Sequence, residues 1–207
     1  MYKTKGITAM YDMAMQSEIR EGVSWYSDAH IVALDISTEY DLPLIVVCGV
    51  IAAISPNNKW YKNKLDAENM CQVHASGGDP MTVKVSCYNK MKEKANAILE
   101  LGKDADYDNV MALLNGRKIQ CFFTCIYLHD TNQSIVCIDG HARNIVYRER
   151  LNLTDSKLTI GVKEYKYLTK CYIAATKVIN KANGTNYLPY QIQAITWCAW
   201  RRLHGIK

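Results

Sequence analysis

Apolar positions recur along this chain at three- and four-residue intervals, the spacing of helices with one buried face. After Gly6 they run through Ile7, Met10, Met13, Ala14 and Ile19 and stop near Gly22; a second helix carries Trp25, Ile31, Leu34 and Tyr40, and Asp41-Leu42-Pro43 breaks it. Leu44 to Ile54 is apolar on every side, which predicts a helix buried all round. Ser55-Pro56-Asn57-Asn58 is a turn that opens a helix from Trp60 to about Val73, and His74 to Pro80 is a loop. An amphipathic helix follows from about Val85 to Leu101. A short helix, Asn109 to Leu114, is capped by Asp106 or Asp108 and halted at Asn115-Gly116, and the next helix runs from Arg117 to about Leu128.

A polar loop, Asp130 to Ser134, leads into the apolar Ile135 to Ile138 and Asp139-Gly140-His141, where a helix to about Arg150 begins. The last two helices cover about Val162 to Ala182, stopped at Gly184, and Pro189 to Gly205. No alternating run is long enough for a sheet, and no repeat or flexible linker appears, so the expected fold is all-α. The composition, 49% apolar with 4 Pro in 207 residues, excludes disorder and loop-rich disulfide scaffolds. The longest apolar run, Leu42 to Ile54, falls short of the roughly 20 residues that span a bilayer. No secretory signal is read at the N-terminus, so a cytoplasmic protein with reduced, buried cysteines and no membrane partner is expected.

The net charge of +5 is unevenly spread. Residues 1–140 hold 13 Lys and Arg against 17 Asp and Glu, whereas residues 141–207 hold 12 against 3. Arg143, Arg148, Arg150, Lys157, Lys163, Lys166, Lys170, Lys177 and Lys181 suit either a phosphate backbone or a solvated helix face.

Two motifs carry candidate chemistry. In Asn115-Gly116-Arg117-Lys118 a glycine turn opens a helix, whose N–H groups and positive end hold a phosphate oxygen, with Arg117 and Lys118 adding charge; an ordinary turn between helices has the same pattern. In Val136 to His141 a carboxylate, Asp139, follows a buried segment at the mouth of a helix, which suits a half-desolvated catalytic group and equally an N-cap. Cys121 with Cys125, and Cys137 with His141, are spaced by four; on helices each pair would share a face and bind zinc, though cysteines in an apolar helix are ordinary core. His30, His74, His129 and His204 read as surface or satisfied residues. Trp197 and Trp200 are expected to pack the last helix onto the N-terminal lobe, the alternative being a base stacked on tryptophan with Arg201 and Arg202 on phosphate.

The motifs taken in order resemble a family. Ile54-Ser55-Pro56-Asn57-Asn58 with Asn63 and Ala67, Tyr88-Asn89 with Lys94-Ala95-Asn96-Ala97-Ile98, Leu114 to Lys118, and Ile138 to His141 are similar to the helix-hairpin-helix base-excision DNA glycosylases of the endonuclease III type, over about residues 45–150. The resemblance implies a two-lobed helical fold with a DNA-facing cleft between a central lobe, 42–140, and a lobe built from 1–41 and 141–207. It implies that Lys118 is the amine nucleophile and Asp139 the activating carboxylate. Ser55, Asn57, Asn58, Trp60, Asn115, Gly116, Arg117, His141 and Arg143 are then the DNA- or base-binding residues.

The implied activity is removal of a modified base flipped out of DNA, with strand scission possible through a Schiff base. The hairpin here is about two residues shorter than the family's. The family's four-cysteine iron–sulfur loop is absent, since only Cys171 and Cys198 lie beyond residue 140, so no cofactor or metal is expected. The expected partner is DNA and the expected state a monomer. A phage enzyme that modifies a thymine derivative in DNA, working in its host's cytosol, a non-catalytic DNA-binding module of the same fold, and a protein-binding scaffold are the alternatives.

Overall fold

A computed structural model of the protein describes residues 2–129, 131, 134–152 and 155–206, with Lys157 described in its backbone only. Part of the expected polar loop, at 130, 132 and 133, lies outside the described residues. The described residues form ten α-helices and three short 3-10 turns, with no strand among them, so the fold is all-α. The helices are α1 (Lys5–Asp12), α2 (Gln16–Glu39), α3 (Leu44–Ala53), α4 (Trp60–Ala75), α5 (Asn89–Leu99), α6 (Tyr107–Leu114), α7 (Arg117–Tyr127), α8 (Gly140–Tyr147), α9 (Val162–Asn183) and α10 (Pro189–Leu203).

The chain divides into two compact units, Ser27–His129 and Met1–Tyr26 with Asp130–Lys207. Both boundaries fall before the positions expected from sequence, near 41 and 140. The reason is α2, which runs unbroken past Tyr26: its residues Ala29, Ala33 and Ile36 are buried, and His30 Nδ1 lies 2.9 Å from the Ile126 carbonyl oxygen at the end of α7. His30 also packs its ring on His129, at 4.1 Å between centroids.

In the unit Ser27–His129, α3 is the core. Every residue from Val46 to Ile54 is buried because α4, α5, α6 and α7 all pack against this helix, which explains its lack of a polar face. Gly49 lets two of these neighbours close in: a Cβ there would lie 2.9 Å from Val110 and 3.0 Å from Ile98. Asn63 of α4, fully buried, donates its Nδ2 to the Ile51 carbonyl at 3.0 Å and ties α4 to the core helix. α5 starts at Asn89 rather than near Val85. The preceding residues are held elsewhere, by a 3-10 turn at Pro80–Thr82 capped by Asp79 and by the Ser86 N–H donated to buried Asp66 at 2.8 Å.

In the other unit, α1 packs on α8, α9 and α10, with Ile7 fully buried. Gly22 does not end a helix. It sits inside α2, where a Cβ would come within 2.4 Å of the Ile195 backbone nitrogen, so glycine is required by the close approach of α10 and not by a turn. The break falls instead between Asp12 and Gln16. Glu18 reaches back there to accept the Met15 N–H at 2.8 Å, one half of a capping box. Glu18 also pairs with Arg202 of α10 at 2.7 Å. Trp200 is buried, and Trp197 packs on Trp25 at 5.2 Å with Arg201 over its ring at 4.5 Å.

Candidate nucleic-acid interface

The hairpin of α6 and α7 belongs to the unit Ser27–His129. Asp106 caps α6 in a full capping box: its carboxylate accepts the Asn109 N–H at 2.8 Å while Asn109 Oδ1 accepts the Asp106 N–H at 2.9 Å. The turn is made by two consecutive residues with positive φ, Asn115 at 44° and Gly116 at 116°. Asn115 to Lys118 are all exposed, and Ile119 and Phe123 anchor α7 in the core behind them. The first turn of α7 carries no acidic residue, so its positive end is reinforced by Arg117 and Lys118 and opposed by nothing on its own helix.

Two side chains hold this turn from behind. Lys94 of α5 donates its Nζ to the Leu114 carbonyl at 2.8 Å and to that of Asn115 at 3.4 Å; Gln120 of α7 donates its Nε2 to the Met111 carbonyl at 2.9 Å. They satisfy carbonyls that the end of α6 leaves without helical partners. Burial, with Lys90 nearby, lowers the pKa of Lys94 below the ordinary lysine value.

The segment before α4 is less available than its residue types suggest. Ser55 donates its hydroxyl to the Ala52 carbonyl at 2.9 Å, and Asn58 donates to the Ile54 carbonyl at 3.3 Å and to Asp66 at 3.1 Å. Asn57, exposed with φ 56°, donates to the Tyr88 hydroxyl at 3.0 Å. Trp60 is brought to the hairpin. Its half-buried ring meets Phe122 of α7 edge-on at 6.5 Å, with Lys64 Nζ 5.8 Å from its centre. Phe122 lies one helical turn beyond Lys118, so Trp60, Phe122 and Lys118 belong to one aromatic and basic face. The sequence motifs assign Phe122, Lys94 and Lys64 no role. The four-residue step from Lys118 to Phe122 is the available signal; for Lys94 there is none, because its partners are backbone carbonyls 20 and 21 residues away.

Asp139, His141 and Arg143 belong to the other unit. Val136, Cys137 and Ile138 lie outside any helix and are buried, clipped by the Tyr165 hydroxyl, which accepts the Ile138 N–H at 3.0 Å and donates to the Val136 carbonyl at 2.9 Å. This fixes half-buried Asp139 at the N-cap of α8, one oxygen accepting the Ala142 N–H at 2.8 Å. His141 is half-buried, and it and Arg150 act with burial to hold His204 below the ordinary histidine pKa, burial being the largest cause.

Arg143 does not join a phosphate-facing surface. It is buried, bonded to Glu149 at 2.9 Å and Glu164 at 3.1 Å, and stacked on Tyr147 at 4.6 Å. The intervals of six and 21 residues hid these partners. Arg148 and Arg150 are exposed, as are the lysines of α9; the side chain of Lys157 lies outside the described residues.

The cysteine spacings do not build a metal centre. Cys137 precedes α8 and lies on no helix, so it shares no helix face with His141, and Cys125 is buried beside Phe123 and Ile126. Among the described residues no group of three or more His, Cys, Asp or Glu is placed to hold a metal ion. None of the described helices is long and apolar enough to cross a membrane.

The architecture is that of an all-α protein with a basic helical hairpin. Residues 2–204 match the model of a protein family of unknown function (DUF7178), and the chain belongs to that family. No curated protein and no solved structure matches it.

Proposed function

We propose that the protein is a DNA-base-removing enzyme of the helix-hairpin-helix glycosylase type. One observation carries the reading: an Asn115-Gly116 turn, held through its carbonyls by Lys94, that opens α7 with Arg117 and Lys118 exposed and no carboxylate in its first turn. Such a hairpin binds a phosphate through helix N–H groups and cations together. The half-buried Trp60 and Phe122 offer ring surface to a base out of its stack. In this reading the amine of Lys118 is the nucleophile that attacks the sugar C1′. The C1′–N bond breaks and its electron pair leaves with the base; the amine's two protons pass to the departing base and to O4′ as the sugar ring opens, and the resulting Schiff base is resolved by strand scission. Asp139, which belongs to the other unit, is the carboxylate that the resemblance assigns to stabilising positive charge on the sugar.

The test is incubation with duplexes carrying varied damaged or modified bases, modified thymines included, followed by borohydride trapping. Base release that Asp139→Asn abolishes, and a trapped adduct that Lys118→Ala abolishes, are expected, with binding retained in Asp139→Asn. No base release and no adduct on any duplex sinks the enzymatic reading.

A second reading, a DNA-binding module without chemistry, is favoured by the exposure of Lys118, since an amine nucleophile is activated by desolvation. It predicts salt-sensitive DNA binding with no turnover to lose.

A further inference from the structure

The surface of α9 is divided sharply. Tyr165, Leu168, Cys171, Tyr172, Ala175, Thr176 and Ile179 are buried, whereas Lys163, Lys166, Lys170, Lys177 and Lys181 are all exposed. At 100° per residue the five lysines fall within an arc of about 60°, and at 1.5 Å per residue they extend over about 27 Å. The only carboxylate of the helix, Glu164, lies off this arc and is bound to Arg143. Among the described residues none of the five lysines makes an ion pair or a hydrogen bond through its side chain. Lysines that merely solvate a helix are usually interleaved with carboxylates at three- and four-residue spacing; here that compensation is missing and five like charges share one line.

We infer that the lysine stripe of α9 is a sequence-independent docking surface for the phosphate backbone of duplex DNA. The partner follows from the shape of the charge. Duplex DNA carries about one negative charge per 1.7 Å of axis and repeats its groove over about 34 Å, so a straight stripe of this length lies along most of one turn. An anionic lipid surface is the poorer fit, because most apolar residues of α9 are buried in its own unit and only Val162 and Val178, 53% and 51% exposed, are left to insert between lipids. The inference does not rest on the hairpin reading, since the stripe and the hairpin belong to different units.

The experiment is a salt titration of binding to an arbitrary duplex of about two helical turns, comparing the wild-type chain with Lys166→Glu/Lys170→Glu/Lys177→Glu. The affinity is expected to fall about tenfold or more, and the dependence of log K on log salt to lose about 0.9 for each lysine that had met a phosphate. The same three positions changed to Arg keep both, and changed to Ala give a smaller loss in the same direction, which guards against a fold disturbed by charge reversal. Arg117→Ala/Lys118→Ala is run beside them. Loss confined to that hairpin pair overturns the stripe and spares the hairpin; loss confined to the α9 variants does the reverse. Unchanged affinity and slope in the Glu variant, or wild-type binding to phosphatidylserine vesicles without binding to the duplex, overturns the inference.

Discussion

Gly22 shows how one residue's role depends on what approaches it. A Cβ at this position meets the Ile195 backbone, which cannot swing aside as a side chain can, so Gly22→Ala is expected to cost about 2–3 kcal/mol in chemical denaturation although alanine is the better helix former. Glu18 gives a prediction with a pH sign. Burial works against its charge, but the hydrogen bonds from Arg202 and the Met15 N–H outweigh it and hold its pKa below 4.5. A depressed carboxylate stabilises the fold fully above its unfolded pKa and stops doing so as the pH falls through the folded value. Wild type is therefore expected to exceed Glu18→Gln by about 1–2 kcal/mol near neutrality, the gap closing below pH 4.5. A gap that persists in strong acid would exclude the charge as its source.

At the scale of elements, the hairpin depends on groups at both ends of α6. Asp106→Ala removes half of a capping box and is expected to lower stability by about 1 kcal/mol in urea unfolding. Lys94→Met keeps the half-buried stem and removes the ammonium that holds the Leu114 and Asn115 carbonyls. Amide exchange across 114–119 should accelerate roughly tenfold while the core of α3 stays protected, and Lys94→Arg should restore protection. The cap and the turn were legible beforehand, because Asp at a helix start and Asn-Gly at a helix end act through neighbours in the chain. Lys94 was not legible as a clamp, nor Arg143 as the bridge between Glu149 and Glu164, because a basic side chain announces its charge and not its partner.

For the whole molecule, the eight cysteines report on packing. Six are buried, and only Cys87 and Cys121 are half-exposed. Burial pushes the thiols of Cys71 and Cys198 up to about 12. A maleimide is expected to label no more than Cys87 and Cys121 in the native protein and all eight after unfolding, as counted by mass spectrometry; rapid labelling of a third site would show that the cores open easily. The two-unit division makes the same point about distance. The all-α class, most helix spans, the glycine turn and the basic end of the chain follow from sequence alone, since periodicity, caps and turn residues act over a few positions. Where α2 passes from one unit to the other, why Gly22 is glycine, which arginine is spent internally and which lysines share an uncompensated line were decided by tertiary structure, because each turns on groups far apart in the chain or on a face that exists only once its opposite side is buried.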